Sequence, residues 1–337
     1  MTPSDRRSLI AVLAGALLVG AYVFSFVYSQ AKPQPRHLPV ALSGPRDQVD
    51  QARDEIERST GTSFEVHVYD GETRARRAIR DRDVYAALIL SKAKPRLLTA
   101  PAAGGTAATI VERRLPRAAG LAAAGMPEIE RVVPLDKDDP DGQAMNLMIL
   151  PLVIFGIVVP VLLSSVGAAG SVRRRLLSVL LFSLLSGLAA TLVANVWLDA
   201  VTGPFAAVAA LAVLLVLGVS SCNLALIGLR GPVGASVAIV AFLIVGNVAS
   251  GAAVVHELQP GFWRATGPWL PPGAAATAIR DVGYFDGAKL LMPLAVLIGY
   301  CAIGVASSLL LGGRRPAPQG DPAGPTANTE EPAAAEA

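Results

Sequence analysis

Apolar and polar positions are segregated along this chain on a coarse scale. Six stretches, residues 9–28, 143–165, 177–198, 205–227, 233–255 and 290–311, contain no Asp, Glu, Lys or Arg. Each is about 20 residues long or slightly more, the length at which an α-helix crosses roughly 30 Å of hydrocarbon. One lies near the N-terminus, five follow residue 142, and a polar insert separates them. The pattern predicts a polytopic α-helical membrane protein with six transmembrane helices and a small external α/β domain inserted between helices 1 and 2.

Within the insert the period changes. Residues 38–42 read as a strand, and 47–59 as a polar helix with Val49, Ala52 and Ile56 at helical spacing. Residues 64–69 alternate apolar and polar like a half-buried strand. Residues 71–82 form a short basic helix with an Ala75, Ala78 and Ile79 stripe, and 84–90 a continuous apolar strand. A further strand is expected at 96–99 and a helix at 106–115. The Ala/Gly-rich stretch 100–108 reads as a loop or a loosely formed helix start. Strands alternating with helices predict βαβ units and a mostly parallel sheet. Residues 126–142, with Pro127, Pro134, Pro140 and an acidic run at 136–141, read as a return linker to the membrane. The tail 314–337 is rich in Pro, Ala, Gly and Glu, lacks core-forming residues and is expected to be disordered.

Charge turns the pattern into an orientation. The sequence pI of about 9.0 does not point to nucleic acid, because the insert is nearly neutral and the basic excess flanks the spans. Arg6 and Arg7 precede span 1. Arg173, Arg174 and Arg175 lie between spans 2 and 3, Arg230 between spans 4 and 5, and Arg314 and Arg315 after span 6. Six crossings put all of them on one side, which the positive-inside rule makes cytoplasmic. The expected division is an uncleaved anchor at 1–31, an extracytoplasmic α/β domain at 32–142, a five-helix membrane domain at 143–313, and a cytoplasmic tail at 314–337. The apolar core of the anchor is longer than the 7–15 residues of an ordinary signal peptide. Both termini are then cytoplasmic in a multi-pass plasma-membrane protein, with membrane lipid as its first partner.

Candidate chemistry is sparse. There is no P-loop, H-E-x-x-H, G-x-S-x-G or cysteine cluster, so no enzyme, cofactor or metal site is expected. Cys222 and Cys301 lie in or beside apolar spans and should be buried free thiols. Spans without charged centres speak against a proton-driven pump. Asn146, Asn195 and Asn247 fall toward the outer half; they either line a substrate cavity or hydrogen-bond between helices. Pro151, Gly156 and Pro160 should bend span 2. Gly246-x-x-x-Ser250 permits close helix contact, within one chain or across a dimer. The pair His256-Glu257 is either a solvated interfacial pair or a proton or metal half-site. The loop 256–288 contains Trp263, Trp269, Pro271, Gly273 and Arg280 among further aromatics and prolines. It is either an aromatic belt on a connecting loop or a segment that dips into the membrane and returns.

The order of one span, an external domain, four spans, an aromatic Pro-rich loop and a last span resembles the membrane subunits of type 2 ABC exporters. Within them it is most similar to the group that includes the phage infection protein. The insert stretch 68–90, from Val68-Tyr69-Asp70-Gly71-Glu72 to Ala86-Ala87-Leu88-Ile89-Leu90, looks like that family's strand, short helix and apolar strand. Phe262-Trp263-Arg264, Trp269-Leu270-Pro271-Pro272-Gly273 and Ala278-Ile279-Arg280 resemble its outer re-entrant hairpin. The resemblance implies a homodimeric or heterodimeric permease powered by a separate ATPase subunit and moving a hydrophobic or amphipathic substrate outward. Trp263, Trp269, Pro271, Gly273 and Arg280 would form an outer gate, and Arg173, Arg174 and Arg175 an ATPase-docking loop unless they only set topology. The alternative is a non-transport envelope receptor or scaffold whose external domain binds a partner.

Overall fold

The computed structural model describes residues 3–30, 33–91, 94–121, 126–166 and 171–311. The tail at 314–337 lies outside the described residues. The first apolar helix, α1, spans Pro3–Gln30. Then come β1 (Leu38–Ser43), α2 (Arg46–Thr60), β2 (Phe64–Val68), α3 (Glu72–Arg80), β3 (Ala86–Ile89), β4 (Arg96–Thr99), α4 (Gly105–Ala118) and β5 (Glu128–Arg131). The five strands form one sheet in the order β2-β1-β3-β4-β5. β1 pairs in parallel with both β2 and β3, and β4 with β5, while β3 and β4 are antiparallel. Helices α2, α3 and α4 are the crossovers that parallel neighbours require. Their apolar stripes, such as Val49, Ala52 and Ile56 on α2, are buried against the sheet.

One segment differs from the sequence expectation. The return linker opens with the edge strand β5, registered from Arg96↔Glu128 to Thr99↔Arg131. Its Glu-Ile-Glu-Arg sequence carries one apolar residue, so only the pairing partner identifies it as a strand. The stretch 100–108 is a loop and helix entry, with a short turn at Pro101–Ala103 leading into α4, and most of it is buried.

The second half supplies α5 (Ala144–Val166), α6 (Val172–Thr191), α7 (Phe205–Arg230), α8 (Pro232–Ala238) and α11 (Leu291–Leu311). Wider π turns continue α6 through Leu192–Trp197 and α8 through Ile239–Asn247, the latter reaching Ser250 by a 3-10 turn. Six segments are long and apolar enough to cross a membrane: Ser8–Gln30, Ala144–Ser165, Val172–Trp197, Phe205–Arg230, Pro232–Ser250 and Leu291–Leu311. The chain therefore fits a multi-pass membrane protein. The fourth is the central one: 61% of its apolar window is buried, against 6% for the first. Glycines bring its neighbours close, since a Cβ on Gly187 would lie 2.6 Å from Val213 and one on Gly304 2.3 Å from Ser221. Cys222 and Cys301 are free thiols at the α7–α11 contact, bonded to the carbonyls of Tyr300 and Leu214.

The fifth span ends at Ser250, five residues short of the expected 255. Gly251 (φ 73°) takes the left-handed conformation that closes many helices. Beyond it, Val254 and Val255 enter the core of the sheet domain with Leu258 and Phe285. The space for Val255 exists because residue 104 is glycine; a Cβ there would lie 2.4 Å from the Val255 Cγ1. The backbone joins too: Arg36 N–H donates to Glu257 (2.9 Å) and Gln34 N–H to Leu258 (3.3 Å). The sheet domain is thus completed by the chain that links the last two spans.

Candidate functional site

Two short helices, α9 (Gly261–Thr266) and α10 (Pro271–Tyr284), form a hairpin between the fifth and sixth spans. The apolar face of α10 (Ala274, Ala275, Ala276, Ala278 and Ile279) lies in one core with Val208, Leu211 and Ala212 of α7. Its N-terminus starts with Pro271, well placed in a first turn where no N–H is needed. Gly273 and Gly267 permit the tight fold-back: a Cβ on Gly273 would lie 2.0 Å from the Gly267 carbonyl oxygen.

The polar end of α10 meets the sheet domain. Arg82, just after α3, has a φ of 57°, a conformation uncommon for residues with a side chain. Its guanidinium pairs with the fully buried carboxylate of Asp281 and lies 5.4 Å from the centroid of the Phe285 ring. Arg280 donates to the carbonyls of Gly251 (2.9 Å) and Ala252 (3.3 Å), where the fifth span has just ended. Burial first, and then the nearby Arg82, pulls Arg280 down to about 10, so it stays cationic at neutral pH. The Tyr85 hydroxyl donates to Glu257 at 2.6 Å. Burial first, and then the Glu257 carboxylate, pushes this phenol well above its ordinary value. At the rim, Lys289 pairs with Asp83 at 2.9 Å.

These contacts make a joint between the sheet domain and the membrane-spanning half. Two arginines and two carboxylates balance in a largely desolvated site, and both partners of each contact are held by different parts of the chain. Removing one member of such a buried pair costs about 3–5 kcal/mol, because the other charge is stranded. A cavity of about 40 Å³ adjoins the joint, lined by Asp139, Asp141, Thr202 and Arg280 among others. It has room for a few waters.

His256 is enclosed in the joint, not solvated at a span's end. A Cβ on Gly251 or Gly267 would come within 2.8 Å of its ring. Burial draws the imidazole down to about 4, so it is neutral at physiological pH. Among the described residues, no group of three or more His, Cys, Asp and Glu could hold a metal ion.

The other candidate residues are dispersed. The Trp263 indole donates to the Ser25 hydroxyl (2.9 Å), which donates to the Ile244 carbonyl (3.1 Å), pinning the first span to the hairpin and the fifth span. Trp269 is exposed, consistent with an aromatic facing lipid. Asn195 braces the turn after the third span through the Val201 (2.6 Å) and Gly203 (3.0 Å) carbonyls. Asn247 is buried near Tyr22 of α1, and Asn146 is half-buried in the first turn of α5. Asn195 and Asn247 thus bond in different places, one at the turn after the third span and one beside α1. Gly246 packs on Pro272 of α10, which is an internal contact. Arg173, Arg174 and Arg175 stand in the first turn of α6, capped by Ser171, and not in a loop.

The sequence reading missed the role of Arg82, Tyr85 and Asp281. The only signal was an Arg280-Asp281 charge pair closing an otherwise apolar α10. No protein-family model matches this chain, and no curated protein matches it.

Proposed function

We propose that the chain is the permease-like membrane subunit of an ABC-type exporter, moving a hydrophobic or amphipathic molecule outward with energy from a separate ATPase. The observation that carries this reading is the α9–α10 hairpin. It contacts α1 through Trp263 and Ser25, the fifth span through Gly246 and Pro272, and the sheet domain through Asp281 and Arg82. A tilt of the spans would therefore reach the sheet domain through one rigid part. The distribution of basic residues supports an outward-facing sheet domain. Arg6, Arg173, Arg174, Arg175 and Arg230 lie at helix ends remote from it, whereas the Thr202 turn bonds to Asp136 and Tyr284 beside it. Apolar spans without charged centres suit transport driven by a partner and not by protons.

One observation favours the second reading, an envelope receptor or scaffold. The connections at the basic end are short: Gly231 alone separates α7 from α8, and residues 167–171 separate α5 from α6. Among the described residues, an ATPase would have to dock mainly on the first turn of α6. The test is to purify the protein in mild detergent from its native membrane and identify retained ATPases, with Arg173, Arg174 and Arg175 changed together to Gln. An exporter retains an ATPase that the triple variant loses, and the variant's efflux of lipophilic dyes falls. No retained ATPase and unchanged efflux would support the receptor.

A further inference from the structure

The sheet domain carries an unassigned basic groove. Arg113, Arg114 and Arg117 of α4 are exposed and line one open depression of about 710 Å³, with Pro35, Ser63 and Thr109 among its other walls. No Asp or Glu lines it. Among the described residues none of the three arginines has an ion-pair partner, whereas most of the arginines on α2 and α3 do, Arg46 and Arg80 excepted. Arg53 pairs with Glu57, Arg74 with Asp70, Arg76 with Glu72 and Glu130, and Arg77 with Asp81. Glu112, the one acid of α4, turns away toward Thr99 and Arg131.

Local energetics do not explain this concentration. Arg113 and Arg117 are four apart and Arg114 and Arg117 three apart, spacings at which like charges destabilise a helix by about 0.2–0.5 kcal/mol per pair. The helix dipole favours cations in the last turn, where Arg117 stands, but Arg113 and Arg114 precede that turn. Three guanidinium forks with no carboxylate between them match the tetrahedral oxygens of phosphate. The groove is also close to the membrane-crossing part of the chain. Pro35 lies five residues after Gln30, the end of α1, and five residues reach at most about 18 Å.

We infer that this groove binds a phosphate-bearing anion through Arg113, Arg114 and Arg117. Its place beside the end of α1 fits a lipid headgroup, and a soluble phosphate ester offers the same chemistry. The full-length protein in neutral detergent is titrated calorimetrically with dioctanoyl phosphatidylglycerol and with glycerol phosphate. Dioctanoyl phosphatidylcholine is the zwitterionic control. Saturable binding of at least one anionic probe is expected. It should weaken at least about tenfold in R113Q/R114Q/R117Q, because each basic group near an anionic headgroup contributes about 1 kcal/mol. The charge-matched variant R53Q/R74Q/R77Q should stay within about twofold of wild type, since only the net charge and not the groove is altered. Binding of phosphatidylglycerol alone identifies the headgroup, and binding of glycerol phosphate identifies a soluble ester. Three results overturn the inference: no saturable anionic binding, equal binding of phosphatidylcholine, or equal loss in both variants. Should the groove variant fail to fold, Arg114→Gln with an unchanged melting curve takes its place. It is expected to weaken binding about fivefold, and no change overturns the inference.

Discussion

The Ser220 hydroxyl donates to the backbone carbonyl of Gly156 at 2.9 Å, four residues before Pro160 in the second span. A proline removes the N–H that would pair with the carbonyl four residues earlier, and its ring displaces that carbonyl. The next carbonyl, that of Ile157, accepts from the fully buried Asn223 amide at 2.8 Å. Two polar residues of the central span thus bond to its neighbour's backbone beside Pro160, Ser220 at the carbonyl that the proline leaves without a partner.

Ser220→Ala should therefore destabilise the protein by about 1 kcal/mol, the scale of interhelical hydrogen bonds in membranes. In a Pro160→Ala background, where the helix can bond its own carbonyl, the same change should cost less than half as much. Unfolding in mixed micelles gives the cycle, and additive effects would show that the hydroxyl does not answer the proline.

Arg82→Ala strands the buried Asp281 carboxylate and should cost about 3–5 kcal/mol. Arg82→Leu with Asp281→Leu removes both charges and should recover most of that loss. Thermal melting in detergent measures both, and a double variant no better than the single would rule out charge stranding as the cause.

Gly104→Ala forces a methyl group onto Val255 and should destabilise by about 1–3 kcal/mol, the range for overpacked cores. Adding Val255→Ala empties the space and should restore much of the loss. Hydrogen exchange at β1 and at 254–258 reports the joint directly: faster exchange in the single variant and near-normal exchange in the double are expected.

The buried His256 gives a defined acid limit. Its folded value of about 4 lies below the ordinary histidine value of about 6.5, so the folded state binds fewer protons than the unfolded state between them. Stability should therefore be unaffected above about pH 6.5 and fall as pH drops toward 4, by up to about 3 kcal/mol from this group. Glu257 favours the protonated ring, while Arg280 and Arg82 oppose it. His256→Gln should flatten the stability profile over this window, and an unchanged slope would assign the acid sensitivity to other groups.

The spans were legible because crossing a membrane is a summed property of about 20 neighbouring residues. The strands at 38–42, 64–69 and 84–90 were legible for the same local reason, since burial on one or both faces writes a period into the sequence. β5 was not legible: Glu128-Ile129-Glu130-Arg131 becomes a strand only because Arg96–Thr99 offers it an edge. Asn223 gave no sign of its role, because the carbonyl it satisfies belongs to another helix.

The sequence by itself determined the six apolar helices, their uneven spacing, the alternating insert and the basic end of the bundle. Each follows from local hydropathy, period or charge. Only the tertiary structure decided that Val254, Val255, Leu258 and Phe285 complete the core of the sheet domain, and that Arg82, Tyr85, Glu257, Arg280 and Asp281 form a joint. An apolar run has the same hydropathy in lipid as in a protein core, and a buried charge shows its value only beside its partner. Those choices depend on residues about 150–200 positions apart, which no local pattern can bring together.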